Sequence, residues 1–379
     1  FKKIEIGALI AGGGIAGSAL FRYMSDAGLN PVLVNADRGS SWRNIGGGRT
    51  AFSLPELAEI AEHNHAIFKE LQKISNIDYK TTRYINLAHD ESTFNALDAS
   101  RAWSDAFMVD PKNFQKEISP YFSTKSKRYL GALITNDCWQ ATPGKVVDLI
   151  RNMGVSAGGR IVEDCKVLEV MKEGSTYSIL VLTHDKKYVE FRTEIFVNAL
   201  GAGAGKICEG LGIHAGLYPV RHQAFITRRL PMLGKNGDSL DMLIDRQEYK
   251  GFSAVYGQQL LHTGQIIGCA SPRVDALRTD KNLILNTKEF MEIVSEFFVD
   301  WVPELAGVSI QATWSGYYTE PRYIVDPELG LFVGMRGHGF MLSQYLAKIY
   351  VDKLMGRPVP EYFDQLKLNG PGLSEKAFK

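Results

Sequence analysis

Gly12-Gly13-Gly14-Ile15-Ala16-Gly17 is the stretch on which the fold reading turns. Its spacing is G-x-G-x-x-G. Gly12 permits a tight turn, Gly14 lets backbone approach a pyrophosphate, and Gly17 lets a helix pack close to a strand. Upstream, Ile4, Ile6, Ala8, Leu9 and Ile10 read as one buried parallel strand over residues 4–10. Downstream, the pattern predicts a helix to about Met24, stopped by Gly28, with Ile15, Ala19, Leu20 and Tyr23 near one face. Val32-Leu33-Val34 reads as a second parallel strand. Such a βαβ unit binds a dinucleotide, with Ile15 and Ala16 opening the helix whose unpaired N–H groups meet phosphate.

The end of the second strand departs from the usual pattern. A dinucleotide fold places an acid there, about 20 residues past the glycines, to bind ribose hydroxyls. Here the segment reads Asn35-Ala36-Asp37. Asn35 donates and accepts hydrogen bonds but carries no charge. Asp37 is a candidate substitute. Loss of the acid beside Arg38 also suits a ribose 2′-phosphate, which would mean NADP.

Two later glycine clusters argue against a plain nicotinamide domain. An apolar strand from Glu194 to Leu200 enters Asn198-Ala199-Leu200-Gly201-Ala202-Gly203-Ala204-Gly205, and Gly337-His338-Gly339 opens a closing helix that stops at Gly356. Between them lie helical patterns at 55–75, from Pro143, and at 286–299. Strands at 161–170, 177–183 and 188–193 suggest a short antiparallel meander, residues 217–270 a strand-rich platform, and 309–334 further strands. The expected class is α/β (α+β overall): a Rossmann-like domain built from three stretches, with an antiparallel-sheet substrate domain inserted. The expected boundaries are 1–85, 143–216 and 313–379 for the nucleotide domain, and 86–142 and 217–312 for the inserts.

Composition narrows the function. At 379 residues the chain suits two joined domains. A net charge of +1 gives no overall signal for nucleic acid or an anionic membrane. Cys138, Cys165, Cys208 and Cys269 are widely spaced, so no metal site or disulfide framework is expected. No apolar run reaches membrane-spanning length, and no signal peptide is read ahead of the first strand. The expected location is the cytoplasm.

In motif order the whole chain resembles the D-amino-acid oxidase superfamily of FAD enzymes, in the branch of glycine oxidase, sarcosine oxidase and D-amino-acid dehydrogenases. Three features carry the likeness: GGGIAG followed by Gly39-Ser40-Ser41-Trp42-Arg43-Asn44-Ile45-Gly46-Gly47-Gly48; the mid-chain VNALGAGAG; and Gly337-His338-Gly339-Phe340. The resemblance implies that Gly12, Gly14 and Gly17 hold pyrophosphate and that Asn35 or Asp37 sits by the adenosine ribose. It puts Ser41, Arg43, Asn44, Gly47 and Gly48 along the phosphates and flavin ring, and the backbone of Val167 against adenine. Ala199, Gly201 and Gly203 would pass near the ADP moiety. Gly337, His338, Gly339, Phe340 and Met341 would stand at the pyrimidine edge of the flavin. Hydride arriving at flavin N5 puts negative charge there, and a helix N-terminus stabilises it.

The substrate side departs from the family. An arginine often follows a Trp-x-Gly to clamp a substrate carboxylate. In Trp314-Ser315-Gly316-Tyr317-Tyr318-Thr319-Glu320-Pro321-Arg322 that position holds Tyr318. Arg49 is therefore the first candidate clamp and Arg322 the second. The bland readings are that Arg49 meets FAD phosphate and Arg322 makes a surface ion pair. Tyr249, Tyr256, Tyr317 and Tyr318 are candidate pocket walls, and Arg221-His222-Gln223 a further polar cluster. A lysine follows GHGF in sarcosine-oxidase-like members, but here it is Met341. A flavin-bonding cysteine of some members is absent at Gly316 and Tyr317, so FAD is expected to be non-covalent. The activity implied is oxidation of an amine or amino acid by hydride transfer, with His338, Tyr318, Arg49 and Arg322 nearest the chemistry and oxygen or another carrier as acceptor. Alternatives are a 2-hydroxy acid or modified tRNA base as substrate, or an FAD-binding subunit of a hetero-oligomer.

Overall fold

Four fully buried residues, Ala8–Ala11, form a strand inside a six-stranded sheet. The structure, a computed structural model, describes residues 2–36, 38–123, 129–272, 287–373 and 375. Across the sheet the order is Ile324–Asp326, Leu331–Val333, Ile195–Asn198, Ala8–Ala11, Pro31–Val34 and Arg160–Val162. The five strands from Leu331–Val333 onward are parallel, and Ile324–Asp326 joins antiparallel. Parallel strands need crossovers, and helix Ile15–Asp26 supplies the first. It packs between helices Pro143–Ser156 and Gly339–Leu354, so residues from the start, middle and end of the chain share one core.

The apolar run at 4–10 does not form one strand. Lys2–Glu5 pairs instead with Tyr188–Thr193, in a four-stranded sheet completed by Thr176–Leu182 and Lys166–Glu173. The break falls at Gly7, where a Cβ would lie 2.6 Å from the Leu29 carbonyl oxygen. The expected strand at 161–170 splits likewise, its first part joining the parallel sheet and its second the meander.

The third sheet has nine strands. Its path runs Ile310–Glu320, Tyr218–Arg229, Gln265–Pro272, Phe252–Gln259, Met242–Asp245, Lys80–Ala88, Gly131–Gln140 and Gly47–Gly48, with Ala106–Val109 also on Gly131–Gln140. Helix Lys288–Trp301 covers one face, burying Phe290, Phe298 and Trp301 in a core shared with Phe225, Val255 and Ala270. Strand Lys80–Ala88 runs across the expected 85/86 boundary and Ile310–Glu320 across 312/313, and both belong to this sheet. The other face of the sheet looks toward the glycine clusters.

Candidate active site

The glycine turn is held by steric necessity. Gly12 has φ +105°, and a Cβ on it would lie 2.4 Å from the Ala199 carbonyl oxygen. A Cβ on Gly17 would lie 1.8 Å from the Gly12 carbonyl oxygen. The first and second glycine clusters therefore touch through backbone. Helix Ile15–Asp26 has no acidic residue in its first turn, and Gly14 occupies its N-cap without a capping side chain. Ser41 comes from the next loop to meet it: its Oγ accepts the Ile15 N–H at 2.8 Å. Asn44 braces that loop, donating to the Ser41 carbonyl at 2.6 Å and accepting the Gly46 N–H at 2.7 Å. The loop is stitched to the large sheet by Trp314 Nε1, which donates to the Arg43 carbonyl at 2.7 Å, and by Tyr317 N, which donates to Ser40 Oγ at 2.9 Å.

A single cavity of about 760 Å³ runs from this cradle to the large sheet. At its near end it is lined by Gly12, Gly14, Ile15, Ala16, Asn35, Ala36, Ser41, Arg43, Asn44 and Gly47, together with Ala199, Gly201 and Gly203. Gly337, His338, Gly339, Phe340 and Met341 line it further along, where helix Gly339–Leu354 begins. Met341 N and Leu342 N donate to the His338 carbonyl at 2.9 and 3.0 Å, so the donors this helix start offers at the turn are the N–H groups of Gly339 and Phe340. Glycine backbones that leave no room for a side chain at Gly12, two helix N-termini and one long continuous cavity suit a dinucleotide carrying a flat ring. These residues fit FAD.

At the turn, His338 Nε2 accepts from Arg49 Nη2 at 3.2 Å, and its Nδ1 lies 2.5 Å from the Tyr323 hydroxyl. Arg49 is buried; it also donates to the Ala51 carbonyl at 2.9 Å and stacks over the Phe52 ring at 4.1 Å. Glu375, fully buried, has an oxygen 4.0 Å from Arg49. Burial lowers the Arg49 pKa, opposed by Glu375. Arg246, on the same cavity, is pushed down to about 9 by burial and then by the charge of Arg49. Two cations share this wall.

An aromatic part of the lining is neutral. Tyr256 and Tyr318 join hydroxyl to hydroxyl at 2.8 Å. The His222 ring stacks on Tyr318 with centroids 3.5 Å apart. A Cβ on Gly337 would lie 2.3 Å from the same tyrosine ring, so the glycine leaves Tyr318 its place. Burial raises the pKa of Tyr84, Tyr256 and Tyr318 and holds His222 down to about 3. These rings carry no charge at neutral pH. Cys269, beside Tyr256, is pushed up to about 12 by burial.

Several anticipated residues stand elsewhere. Arg322 is no clamp: its Nη2 donates to the Lys367 and Gly370 carbonyls at 2.9 and 2.8 Å, outside the cavity lining. The strand ends at Glu320, the last of five consecutive residues from Gly316 that line the cavity, and Arg322 lies beyond it. Val167 is buried in the core between the parallel and four-stranded sheets and does not line the cavity. Gly48 faces Trp139, whose ring a Cβ would meet at 2.1 Å. Gly17 supports the turn from behind. Tyr249 packs on Phe297 rather than on the pocket. Asp37 lies outside the described residues. Sequence reading missed Tyr84, Arg246 and Tyr323 in the site. A lone arginine after the strand Met242–Asp245 has no motif to mark it, and the tyrosines resemble core aromatics.

Residues 8–353 match the family model described as DAO, FAD dependent oxidoreductase. Over 240 residues the chain is 26% identical to subunit A1 of anaerobic glycerol-3-phosphate dehydrogenase from Haloferax volcanii, covering 56% of this chain and 39% of that relative. The fold matches L-proline dehydrogenase from P. horikoshii at TM-score 0.79 and 22% identity, over 97% of each chain. It matches glycine oxidase from Geobacillus kaustophilus at TM-score 0.80 and 17% identity, over 96% of this chain and 98% of that one. Among the described residues no helix is long and apolar enough to cross a membrane.

Proposed function

The chain belongs to the DAO family of FAD-dependent oxidoreductases, and from that premise we propose that it oxidises an amine, in particular an amino acid, with FAD held non-covalently. Bound FAD would supply the two-electron acceptor for hydride from the substrate α-carbon. As the hydride leaves, the substrate nitrogen lone pair closes a C=N bond. Water then adds to the imine, releasing a carbonyl compound and the amine. Oxygen or another carrier would take the electrons onward.

Each wall has a task in this reading. The glycine cradle and Ser41 hold the pyrophosphate end. The start of helix Gly339–Leu354 offers N–H groups where negative charge develops. Arg49 and Arg246 receive the substrate carboxylate, the role that Tyr318 cannot fill. Tyr84, Tyr256 and Tyr318 form a neutral wall that orients the amine and excludes water, which this chemistry needs more than a strong base.

One observation carries the proposal: a single cavity joins the dinucleotide cradle to a neutral aromatic wall, with buried Arg49 beside the His338 turn. The test is an anaerobic panel of D-, L- and N-methyl amino acids, scored by bleaching of bound flavin. Bleaching by at least one member supports amine oxidation; bleaching by none, in a flavin-loaded protein, rejects it. A second reading, an FAD subunit acting on a hydroxy compound within a hetero-oligomer, draws on the glycerol-3-phosphate dehydrogenase subunit among the relatives. Adding glycerol 3-phosphate and 2-hydroxy acids to the panel separates the two.

A further inference from the structure

The acid missing at the end of the second strand has a replacement 128 residues further on. Strands Pro31–Val34 and Arg160–Val162 are parallel neighbours, with Val34 paired to Val162. The ladder continues one step past both strands. Asn35 N donates to the Val162 carbonyl at 3.0 Å, and Cys165 N to the Asn35 carbonyl at 2.9 Å. Backbone register therefore sets residue 163 beside residue 35. Asn35 Nδ2 donates to Glu163 Oε2 at 2.7 Å, while Asn35 Oδ1 accepts the Gly13 N–H at 3.2 Å.

A buried arginine closes the group. Arg151 Nη1 donates to Glu163 Oε1 at 2.7 Å, and its Nη2 donates to the Gly13 carbonyl at 2.5 Å. Arg151 Nε donates to Ser18 Oγ at 3.1 Å, which itself donates to the Gly13 carbonyl at 2.9 Å. Both ends of the network thus return to the glycine turn. The amide orientation follows. A carboxylate only accepts, so Glu163 fixes the Asn35 –NH2 toward itself and the carbonyl toward Gly13. An asparagine side chain has two N–H donors and two carbonyl lone pairs; one of each is spent. The remaining donor and acceptor belong to a side chain that lines the cavity.

We propose that Asn35 and Glu163 together replace the single ribose-binding acid of this fold. Asn35 touches the adenosine ribose hydroxyls, and Glu163 is a positioning residue that orients and polarises the Asn35 amide. Arg151 ties the Glu163 carboxylate to the turn. The inference rests on the cavity holding FAD and is independent of the substrate.

The test strips the purified protein of flavin and titrates FAD and FMN back, following fluorescence quenching. FMN lacks the adenosine half, so it reports on the rest of the site. E163Q is expected to raise the Kd for FAD about tenfold, in the range of a lost charge-assisted hydrogen bond, and to leave FMN within about twofold. N35D puts two carboxylates face to face and should weaken FAD at least as much. The double variant N35D/E163Q restores one acid and one amide, and its FAD affinity should recover to within about threefold of the parent. The proposal is overturned if E163Q leaves FAD affinity unchanged, if N35D alone tightens FAD, if the double variant stays as weak as N35D, or if FAD and FMN weaken in parallel. A parent protein that binds neither flavin would instead reject the cofactor reading itself.

Discussion

Replacing Gly17 with alanine sets two effects of known size against each other. The residue lies inside helix Ile15–Asp26, where alanine is favoured over glycine by about 1 kcal/mol. Against this, the new Cβ would sit 1.8 Å from the Gly12 carbonyl oxygen. An ordinary C···O contact is about 3.3 Å, so helix and turn must part by roughly 1.5 Å. Gly12 cannot yield cheaply: its φ is +105° and it already meets the Ala199 carbonyl. Overpacking costs about 1–3 kcal/mol, and a backbone obstacle puts this case at the upper end. The net loss is about 2 kcal/mol, a fall in Tm of about 2–3 °C for a chain of 379 residues. Gly39→Ala is the control. Gly39 lines the same cavity, has ordinary φ, and has nothing within 4 Å of a Cβ; its change should stay within about 0.5 kcal/mol. Thermal unfolding of both flavin-free variants, followed by FAD titration, gives the comparison. Gly17→Ala should lose both stability and FAD affinity. If it melts with the parent and binds FAD equally well, the turn is not set by this contact and the cradle argument fails.

Two further outcomes follow from the far end of the cavity. Arg49→Lys loses the planar fork that serves Ala51, His338 and the Phe52 ring. KM for an amino acid should rise at least about tenfold, whereas a decarboxylated amine analogue should be little affected; equal loss on both would remove the carboxylate from the role of Arg49. His222 is held neutral down to about 3 by burial, against about 6.5 when unfolded. Its folded pKa is the lower one, so its contribution to stability is complete above about pH 6.5 and declines as pH falls toward 3. Denaturant titrations at pH 7 and 4.5 should show His222→Phe losing about 2 kcal/mol less than the parent over that interval. Equal losses would mean that the ring protonates freely in the folded protein.

What sequence reading captured and what it missed have different physical origins. The glycine turn was legible because close backbone approach leaves one residue type possible at Gly12 and Gly17, and the closing helix because its stop at Gly356 is equally local. Tyr318, marked by its place after the Trp-x-Gly, lines the cavity. Arg322 does not, because the strand has ended by Glu320 and a chain segment near the C-terminus supplies its carbonyl partners. Apolar content alone could not show that Ile4 and Ile10 serve different sheets. The largest gap is the pairing of Asn35 with Glu163. Sequence shows the missing acid, but the compensating carboxylate depends on which strand lies beside Pro31–Val34, a fact of topology rather than of local pattern. Arg246 and Tyr84 reach the site in the same way, from strands that meet only after the large sheet has formed.

The visible spectrum of the purified protein, followed by acid precipitation and identification of the released chromophore, tests the central claim most directly. A yellow protein whose colour passes into the acid supernatant as FAD is the predicted result. A flavin that stays with the precipitate would contradict non-covalent attachment, and a colourless protein that takes up NADP but not FAD would contradict the cofactor assignment altogether.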